Sequence, residues 1–283
     1  MATPIGNAGD LSQRASTILS RVDIIYCEDT RVTRKLLTLH GIATATASYH
    51  EHNAAQVRPQ IMARLAAGEA VALVSDAGTP LVSDPGYKLV QDCIAGGHAL
   101  TALPGANAAL TALILSGLPC DRFLFAGFLP PKSAARRTAL IEFIGLRATL
   151  LFYESGPRLA AMLADLAAVL GPRRAAVARE LTKLFEEVRR DTLDVLARHY
   201  EQAGPPKGEI VVVVGPPDTD RVEAADIDAA LVAALNRLSL RDAVAEVAAA
   251  TGWARRDVYA HALALTRDDP AGDDDDAHQT DEP

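Results

Sequence analysis

The chain has 283 residues, of which 49% are hydrophobic, enough apolar side chains for one or two packed cores. Its formal net charge is -8 at pH 7, but residues 268–283 hold eight acidic side chains and no lysine or arginine, and the remainder carries 28 acidic and 28 basic residues. The body of the chain is therefore close to neutral, so the net charge does not exclude an acidic partner. Local basic clusters determine whether such a partner can bind.

The cysteines and the hydropathy pattern indicate in which cellular compartment the protein is expected. Cys27, Cys93 and Cys120 are far apart and lack the spacing of a zinc site or a disulfide framework. No apolar run approaches the roughly 20 residues that a membrane helix needs, and no basic and apolar leader opens the chain. We therefore expect a soluble, cytoplasmic protein with no metal and no membrane partner.

Residues 1–10 are rich in turn formers and contain two glycines. Apolar residues then recur at helical spacing from Leu11 to Val22, and Asp10 or Ser12 would cap that helix. A glycine loop that leads into a helix N-terminus suits an anion or a cofactor. No strand precedes this loop, which weakens that interpretation.

Two polar segments follow expected strand ends. Residues 22–27 are predicted as a strand that delivers the acidic and basic residues 28–31 to the start of a helix. These residues fit a ligand site or a solvated helix start with acids near its positive end. Residues 48–53 contain His50 and His52, whose spacing is not that of a helical metal pair, so substrate contact or plain loop polarity is predicted for them.

A buried strand followed by a ligand loop lies at the centre of the pattern. Residues 70–74 are an apolar run, and residues 75–86 combine glycine, proline, aspartate, serine and threonine. In α/β sheets the carboxyl ends of such strands bear the binding loops. Gly78 and Gly86 permit close approach or positive φ. The side chains available for polar contacts are Asp76, Thr79, Ser83 and Asp84. An ordinary polar turn is the alternative.

The predicted alternation of strands and helices continues after this loop. Residues 87–94 are predicted as a helix, residues 98–103 as a strand, and residues 104–108 as a glycine turn that enters the apolar helix of residues 108–116. Residues 117–121 contain glycine and proline and are the expected domain boundary.

The second half restarts the same alternation. Strands are predicted over residues 122–129, 148–153, within 175–183, and over 208–215. The expected fold class is α/β, with two consecutive α/β domains over residues 1–118 and 119–217.

The C-terminal region changes character. Residues 222–267 are alanine-rich at helical spacing and are interrupted by a glycine turn at Gly252. This pattern fits a helix-turn-helix-like unit or a helical bundle that packs on the main body. The acidic residues 268–283 are predicted to form a disordered tail.

Several common active-site motifs are absent from the sequence, which reduces the number of possible activities. The sequence lacks the glycine patterns of dinucleotide and P-loop sites, the HExxH pair and the GxSxG elbow. What remains is a set of strand-end loops that suit a small cofactor, together with a basic cluster of Lys132, Arg136 and Arg137. That cluster fits a phosphate backbone or an exposed basic helix turn. Residue chemistry alone therefore indicates a ligand-binding α/β enzyme.

Several motifs, in the order in which they occur, resemble those of a known protein family. They are residues 2–10, 28–31 with 35–37, 48–53, 75–80 with 83–86, 103–106 and 178–183. Together they closely resemble the ribosomal RNA methyltransferase branch of the tetrapyrrole methylase superfamily. The likeness covers residues 2 to about 265, including the C-terminal helical segment.

This resemblance implies S-adenosylmethionine as methyl donor and transfer to the 2'-hydroxyl of a cytidine ribose in the decoding region of 16S rRNA, free or in the small ribosomal subunit. It also implies a homodimer, no DNA partner, and a cofactor cleft between the two α/β domains. The cofactor contacts that it implies are Pro4, Ile5, Gly6, Asp76, Gly78, Thr79, Pro80, Val82, Asn107, Ala108 and Glu154.

A ribose hydroxyl has a pKa far above 7, so positioning and a nearby base or cation are expected to accelerate the transfer. The candidate proton acceptors are Glu28, Asp29, His50 and Glu180, and Lys183 is the candidate cation. The predicted RNA phosphate contacts are Arg31, Arg34, Lys35, Lys132, Arg136, Arg137 and Arg179. Tyr49 or His52 is available for stacking on a base.

Two features depart from the family pattern. Members of this branch open with a full apolar strand, whereas only Met1 and Ala2 precede the Thr-Pro-Ile-Gly loop here. We therefore expect a native start further upstream, since omission of a central strand would leave its neighbours' backbone groups unpaired. Gly156 and Pro157 also stand where Pro-His is usual, which puts a histidine contact in doubt.

Two alternative functions are compatible with parts of the sequence. Another methylase of the superfamily would act on a tetrapyrrole or on the diphthamide precursor, but the motifs of residues 28–31 and 48–53 argue against it. A noncatalytic RNA-binding assembly factor would use the C-terminal helical segment and would need no cofactor pocket.

Overall fold

The computed structural model describes residues 1–217, 224–251, 253 and 255–267. These residues fall into two compact units, one of residues 1–217 and one that follows it. The division of the first unit between residues 118 and 119 stays a prediction. The predicted acidic tail of residues 268–283 lies outside the described residues.

The first sheet is parallel and small. Strand β1 (Ile24–Cys27) lies at its centre, between β2 (Thr46–Ser48) and β3 (Val71–Leu73). All four residues of β1 are buried, as expected for the central strand of a parallel sheet. The helices of this half are α1 (Gln13–Leu19), α2 (Thr30–Leu39), α3 (Ala54–Ala66), α4 (Tyr87–Ala95) and α5 (Ala108–Ser116).

Side-chain caps fix where two of these helices begin. Ser12 Oγ accepts a hydrogen bond from the N–H of Ala15 at 3.1 Å, so Ser12 and not Asp10 caps α1. Asp29 Oδ1 accepts one from the N–H of Arg31 at 2.8 Å at the start of α2. Each cap satisfies a backbone donor that the helix leaves unpaired. The loop between β1 and α2 is therefore held in place by its own residues.

The second sheet is mixed. Its strands are β4 (Phe123–Phe128), β5 (Thr149–Ser155), β6 (Arg174–Arg179), β7 (Glu187–Thr192) and β8 (Glu209–Val214), and its helices are α6 (Ser133–Leu140), α7 (Gly156–Leu170) and α8 (Leu193–Ala203). The strand order is β4-β5-β8-β6-β7, with β4 and β5 parallel and the other pairs antiparallel. The predicted α/β fold is confirmed, but β7 was missed because its charged residues suit an edge strand and form no apolar run.

The largest core cluster lies on the second sheet. Leu150 and Phe152 of β5 and Val212 of β8 are fully buried, and Leu159 and Leu163 of α7 belong to the same cluster. These residues are the apolar runs and helical repeats that predicted the elements. Burial of that apolar surface is the main stabilisation of this half.

Gly156 begins α7 at a point of close approach. A Cβ atom there would lie 1.8 Å from the carbonyl oxygen of Pro206, so no larger residue fits without a backbone shift. Pro157 follows in the first turn of α7, where a missing N–H costs nothing. The Gly-Pro pair that departs from the family pattern therefore fits its local structure.

The strand predicted over residues 98–103 is not found, so that prediction was wrong. The N–H of Ala2 donates to the carbonyl of Leu103 at 3.3 Å, and Thr3 exchanges two hydrogen bonds with Gly78, at 2.9 and 3.0 Å. The first three residues thus lie between the two segments, and so short a pairing does not order residues 98–103 as a strand. The expected upstream start stays a prediction.

The second unit is helical. Its described helices are α9 (Ala224–Leu235), α10 (Leu240–Thr251) and α11 (Arg255–Arg267). Ile227, Val244 and Val258 belong to one buried cluster built from all three helices. The predicted helical C-terminal segment is confirmed. Across both units, no described helix has the length and apolar character needed to cross a membrane.

Candidate active site

A cavity of about 350 Å³ lies where the loops of the first sheet meet strand ends of the second sheet. This volume falls within the range of small-molecule sites. The antiparallel pairing of β5 with β8 places Ser155 opposite Glu209, so the end of one strand and the start of the other share a wall. The cavity, here called the cofactor cleft, is lined by Ile5, Ala77, Gly78, Thr79, Val82, Ser83, Asp84, Ala108, Phe128, Tyr153, Glu154, Ser155, Leu181, Gly208, Glu209, Ile210 and Val211.

The loop of residues 75–86 forms one wall of the cleft and has a constrained backbone. Ser75 Oγ donates to the carbonyl of Gly78 at 2.7 Å. Leu81 and Ser83 adopt positive φ angles of 70° and 61°, a conformation that costs energy for residues with a side chain. The surrounding structure thus imposes one shape on this loop.

Asn107 ties this loop to helix α5. Its Oδ1 accepts a hydrogen bond from the N–H of Leu110 at 3.1 Å and caps the helix, while its Nδ2 donates to Thr79 Oγ1 at 3.3 Å. Thr79 Oγ1 in turn donates to the carbonyl of Ala106 at 3.2 Å. The predicted cofactor residues Thr79 and Asn107 are therefore parts of one hydrogen-bonded unit.

Glu154 is a buried carboxylate in the opposite wall. Its side chain is 0% exposed, and its Oε1 accepts a hydrogen bond from the N–H of Ser155 at 2.7 Å. Its Oε2 lies 3.1 Å from Arg158 Nη2, yet makes no hydrogen bond of proper geometry with any described residue. Since a buried charged oxygen is costly to leave without donors, Oε2 is an acceptor available to a ligand.

Lys183 lies between two carboxylates, and we call Glu180, Lys183 and Glu209 the Lys183 cluster. Its Nζ is 2.9 Å from Glu180 Oε1 and 3.0 Å from Glu209 Oε2. Burial alone would lower the pKa of Lys183, but these two hydrogen bonds outweigh burial and raise that pKa. The hydrogen bond from Lys183 is also the main reason that the pKa of Glu180 lies below its usual range. Glu180 is therefore a poor proton acceptor.

Tight packing holds the Lys183 cluster against its neighbours. Gly208 has φ of +96°, and a Cβ atom on it would lie 2.1 Å from Glu180 Oε1. Glu180 and Thr182 adopt positive φ angles of 51° and 65°. The hydroxyl of Thr182 accepts a hydrogen bond from the N–H of Asn7 at 3.1 Å. The N-terminal loop, residues 180–183 and the start of β8 are thus fastened together.

Asp84 has an unusual electrostatic position in the cleft. Burial raises the pKa of its carboxyl, and the charges of Glu28 and Asp76 add to that effect, so the pKa rises from 3.8 to about 6. Within the described part of the chain, no hydrogen bond stabilises its ionised form. From the sequence, Asp84 was predicted only to be a polar residue of the loop. Its raised pKa could not be predicted, because burial and the proximity of Glu28 depend on tertiary structure.

A second cavity of about 300 Å³ adjoins Asp84, and we call it the side pocket. It is formed by the start of α3, the loop after β3 and the start of α4. Asp84 belongs to the lining of both cavities. The side pocket is lined by Tyr49, Glu51, Ala54, Ala55, Arg58, Asp84, Pro85, Gly86, Tyr87 and Lys88.

The predicted cofactor residues separate into two groups. Those that line the cleft are Ile5, Gly78, Thr79, Val82, Ala108 and Glu154. Those outside its described lining are Pro4, Gly6, Asp76, Pro80 and Asn107. Asp76 Oδ1 accepts a hydrogen bond from the N–H of Asp29 at 2.9 Å, so it joins two loops of the first sheet. Contact of either group with a cofactor stays a prediction.

The predicted catalytic residues outside the Lys183 cluster differ in their surroundings. Glu28 is exposed after β1. Asp29 pairs with Arg31 at 2.6 Å, and the hydrogen bond from Arg31 is the main cause of a pKa of about 2 for Asp29. His50 Nδ1 is buried and has no hydrogen-bond partner among the described residues. Neither described cavity is lined by any of these side chains.

Two predicted RNA contacts are buried, so those predictions were wrong. Arg136 is 2% exposed and pairs with Asp165 at 2.6 Å. Tyr49 is 1% exposed and lies in the cluster that contains Ile24 and Tyr26. Arg136 therefore stabilises the fold, and Tyr49, although part of the side-pocket lining, is almost inaccessible.

The other predicted RNA contacts keep part of their side chains at the surface. Lys35, His52 and Lys132 are exposed. Arg34 Nε donates to Thr46 Oγ1 at 3.1 Å. The remaining arginines are in ion pairs: Arg31 with Asp29, Arg137 with Asp165, and Arg179 with Glu187. Their contact with RNA stays a prediction.

Known proteins share this fold. The family model described as Tetrapyrrole (Corrin/Porphyrin) Methylases matches residues 2–197. The crystal structure of uroporphyrin-III C-methyltransferase from Thermus thermophilus, complexed with S-adenyl homocysteine, matches with a TM-score of 0.53 and 18% identity over 76% of this chain and 95% of that chain. The chain belongs to the tetrapyrrole methylase family.

Closer relatives narrow the assignment. Ribosomal RNA small subunit methyltransferase I of Erythrobacter litoralis is 51% identical over 265 residues, which are 94% of each chain. The same enzyme of Mesorhizobium japonicum is 49% identical over 274 residues, 96% of this chain and 93% of that one. A model described as RsmI C-terminal HTH domain matches residues 221–266. Within its family, the chain groups with ribosomal RNA small subunit methyltransferase I, and the predicted resemblance is confirmed.

Proposed function

We propose that this chain transfers a methyl group from S-adenosylmethionine to a ribose 2'-hydroxyl of 16S rRNA. The observation that carries the proposal is the cofactor cleft, in which loops that bear the family's motifs meet the strand ends that bear Glu154 and Glu209. The relatives' name, ribosomal RNA small subunit methyltransferase I, supports small-subunit RNA as the substrate.

The residues of the cleft fit S-adenosylmethionine. Ile5, Val82 and Ala108 provide apolar contact, and Gly78 leaves space for close approach to its backbone. Glu154 Oε2 is placed to accept hydrogen bonds from hydroxyl or amino groups. A related methyltransferase has been solved with S-adenyl homocysteine, the demethylated form of this cofactor. Bound in the cleft, S-adenosylmethionine supplies an electrophilic methyl group on a positively charged sulfur.

The charges of the cleft suit a cationic ligand. Glu154 and Glu209 both belong to its lining and carry carboxyl side chains. Opposite charge across a partly buried site favours binding of a sulfonium and an amino group. Lys183 already donates to two carboxylates, so it is better suited to holding Glu209 in place than to lowering the pKa of an alcohol.

The finer features of the proposal follow from the resemblance. The acceptor is a cytidine in the decoding region, and the enzyme acts as a homodimer in the cytoplasm. Exposed Lys35, His52 and Lys132 and the paired Arg31, Arg34, Arg137 and Arg179 are the surface groups proposed to contact RNA phosphates or bases.

The test couples cofactor binding to methyl transfer. Calorimetric titration with S-adenosylmethionine is expected to give a Kd in or below the micromolar range, and label from that donor is expected to enter 16S rRNA of small subunits from cells lacking this gene. Glu154→Gln removes a buried charge-assisted acceptor, so its Kd should weaken by about tenfold or more. Glu142→Gln, an exposed matched control, should bind normally. Absence of binding by the unaltered protein would contradict the proposal.

A further inference from the structure

We propose that the side pocket receives the acceptor nucleoside, extruded from the RNA chain, and that Asp84 accepts the proton of its 2'-hydroxyl. This inference rests on the proposed function and adds a substrate site and a base to it. Its starting point is geometric, because Asp84 belongs to the walls of both the cofactor cleft and the side pocket. A methyl donor in one cavity and an acceptor in the other would meet at this side chain.

The backbone around Asp84 is fixed in position. Ser83, its neighbour, has a positive φ of 61°, and Gly86 has φ of 138°. A Cβ atom on Gly86 would lie 2.8 Å from Leu81 Cδ1 and 2.9 Å from Leu73 Cδ2, so the loop packs directly on the end of β3. A base held on such a constrained loop is positioned before the substrate arrives, which is what efficient proton transfer needs.

The side pocket has the chemistry of a nucleotide site. Tyr87 is 66% exposed and presents an aromatic ring on which a base can stack. Arg58 and Lys88 bring two cations to the same lining, suited to the phosphates that flank the nucleoside. The Nε of Arg58 is buried without a hydrogen-bond partner among the described residues, although its Nη1 pairs with Asp92 at 2.9 Å. That donor is therefore available to a ligand.

Two of the other candidate bases, Asp29 and Glu180, are less suitable than Asp84. Asp29 is held ionised by Arg31, with a pKa of about 2, and Glu180 is held ionised by Lys183. A strongly stabilised carboxylate has little affinity for a proton. Asp84 has no such partner among the described residues, and a pKa of about 6 lets it be ionised at neutral pH while retaining basicity.

Several charged groups set the environment of Asp84. Glu28 and Asp76 lie on neighbouring loops of the first sheet and raise the pKa of Asp84. The further charged groups in the linings are Glu51, Arg58 and Lys88 in the side pocket and Glu154 and Glu209 in the cofactor cleft.

The proposed step balances without a further reactant. The ribose oxygen forms a bond to the methyl carbon while the methyl–sulfur bond breaks, and the electron pair of that bond stays on sulfur. The hydroxyl proton goes to the carboxylate of Asp84 and is released to solvent after the products leave. Only the methyl donor and the RNA are consumed.

The first experiment compares Asp84→Asn with the exposed control Asp121→Asn on small subunits from cells lacking this gene. For Asp84→Asn we expect kcat to fall about 100-fold or more, with the Kd for S-adenosylmethionine within about threefold of the unaltered protein. The kcat/KM of the unaltered protein should rise with pH and level off above about 6, since the base must be ionised in the free enzyme. The control should match the unaltered protein throughout.

The second experiment tests the side pocket. Tyr87→Ala is expected to raise the KM for small subunits about fivefold or more while cofactor Kd is unchanged, because a stacked base is worth about 1–3 kcal/mol. Substantial kcat in Asp84→Asn, or equal loss of cofactor binding and activity, would overturn the base assignment. An unchanged KM in Tyr87→Ala would overturn the pocket assignment. If the unaltered protein binds cofactor but methylates no subunit, the proposed function fails and this inference fails with it.

Discussion

Asp84 combines a proposed role in proton transfer with an energetic cost. Burial is the main cause of its pKa of about 6 in the folded chain, against 3.8 for an ordinary aspartate. Because the folded state binds this proton more tightly than the unfolded state, stability falls as pH rises from about 4 to about 6. Above pH 6 the native chain bears the full cost of an ionised, half-buried carboxylate.

Replacing Asp84 with asparagine should therefore stabilise the protein at neutral pH. We expect Asp84→Asn to raise the free energy of unfolding by roughly 1 kcal/mol at pH 7.5, or about 2–4 °C in Tm, after allowance for solvent exposure of the group. The gain should disappear below pH 4, where the aspartate is protonated in both states. Thermal unfolding at pH 7.5 and at pH 3.5 measures this difference. A lower Tm for the variant at pH 7.5 would mean that the carboxylate makes stabilising contacts.

A buried ion pair joins helices α6 and α7. Asp165 accepts hydrogen bonds from Ser133 at 3.0 Å, from Arg136 at 2.8 Å and from Arg137 at 2.5 Å. Burial would raise the pKa of Asp165, but these hydrogen bonds outweigh it and lower that pKa. The resulting stabilisation is present above pH 3.8 and is lost as pH falls through the lower folded pKa.

Removal of Arg136 should leave Asp165 without its buried cationic partner. We expect Arg136→Ala to lower the free energy of unfolding by about 3 kcal/mol at pH 7, since only Ser133 and the half-exposed Arg137 would still contact this buried carboxylate. Arg137→Ala, at an exposed position, should cost about 1 kcal/mol or less. Urea unfolding of both variants gives the comparison. A stable Arg136→Ala protein with weakened RNA binding would restore the original prediction of an RNA contact.

Local sequence signals predicted most of the helices and strands and failed where pairing partners mattered. Residues 70–74 and 148–153 are apolar runs, and a strand overlaps each segment because burial of such runs is favourable anywhere in a sheet. Residues 98–103 have similar character but lack a full-length partner, so they form no strand. The antiparallel orientation of β8 could not be predicted from local sequence either. This orientation brings Glu209 to the cleft.

Motifs likewise predicted the loops of the site better than the roles of single residues. Glycine and proline in residues 75–86 fix backbone shape, which is local, and this loop does line the cleft. Burial of Tyr49 and the raised pKa of Asp84 depend on neighbours distant in sequence. Tyr87 was assigned only to a helix, because its exposure beside Arg58 appears only when α3 and α4 are placed together.

The proposed activity belongs to the whole of residues 1–217. The cleft takes Ile5, Thr79 and Ala108 from the half that contains the first sheet, and Glu154 and Ile210 from the second sheet. Each half therefore supplies part of the lining. Substitutions that loosen the contact between the halves should therefore weaken cofactor binding before they unfold either sheet.

Identification of the product nucleoside is the measurement that tests this account most directly. Small subunits from cells lacking the gene would be incubated with labelled S-adenosylmethionine and the protein, and their 16S rRNA digested to nucleosides for mass spectrometry. The account predicts 2'-O-methylcytidine as the labelled product, at one site, absent when Asp84→Asn replaces the unaltered protein. Label on a base, or no label despite normal cofactor binding, would contradict a ribose 2'-O-methyltransferase.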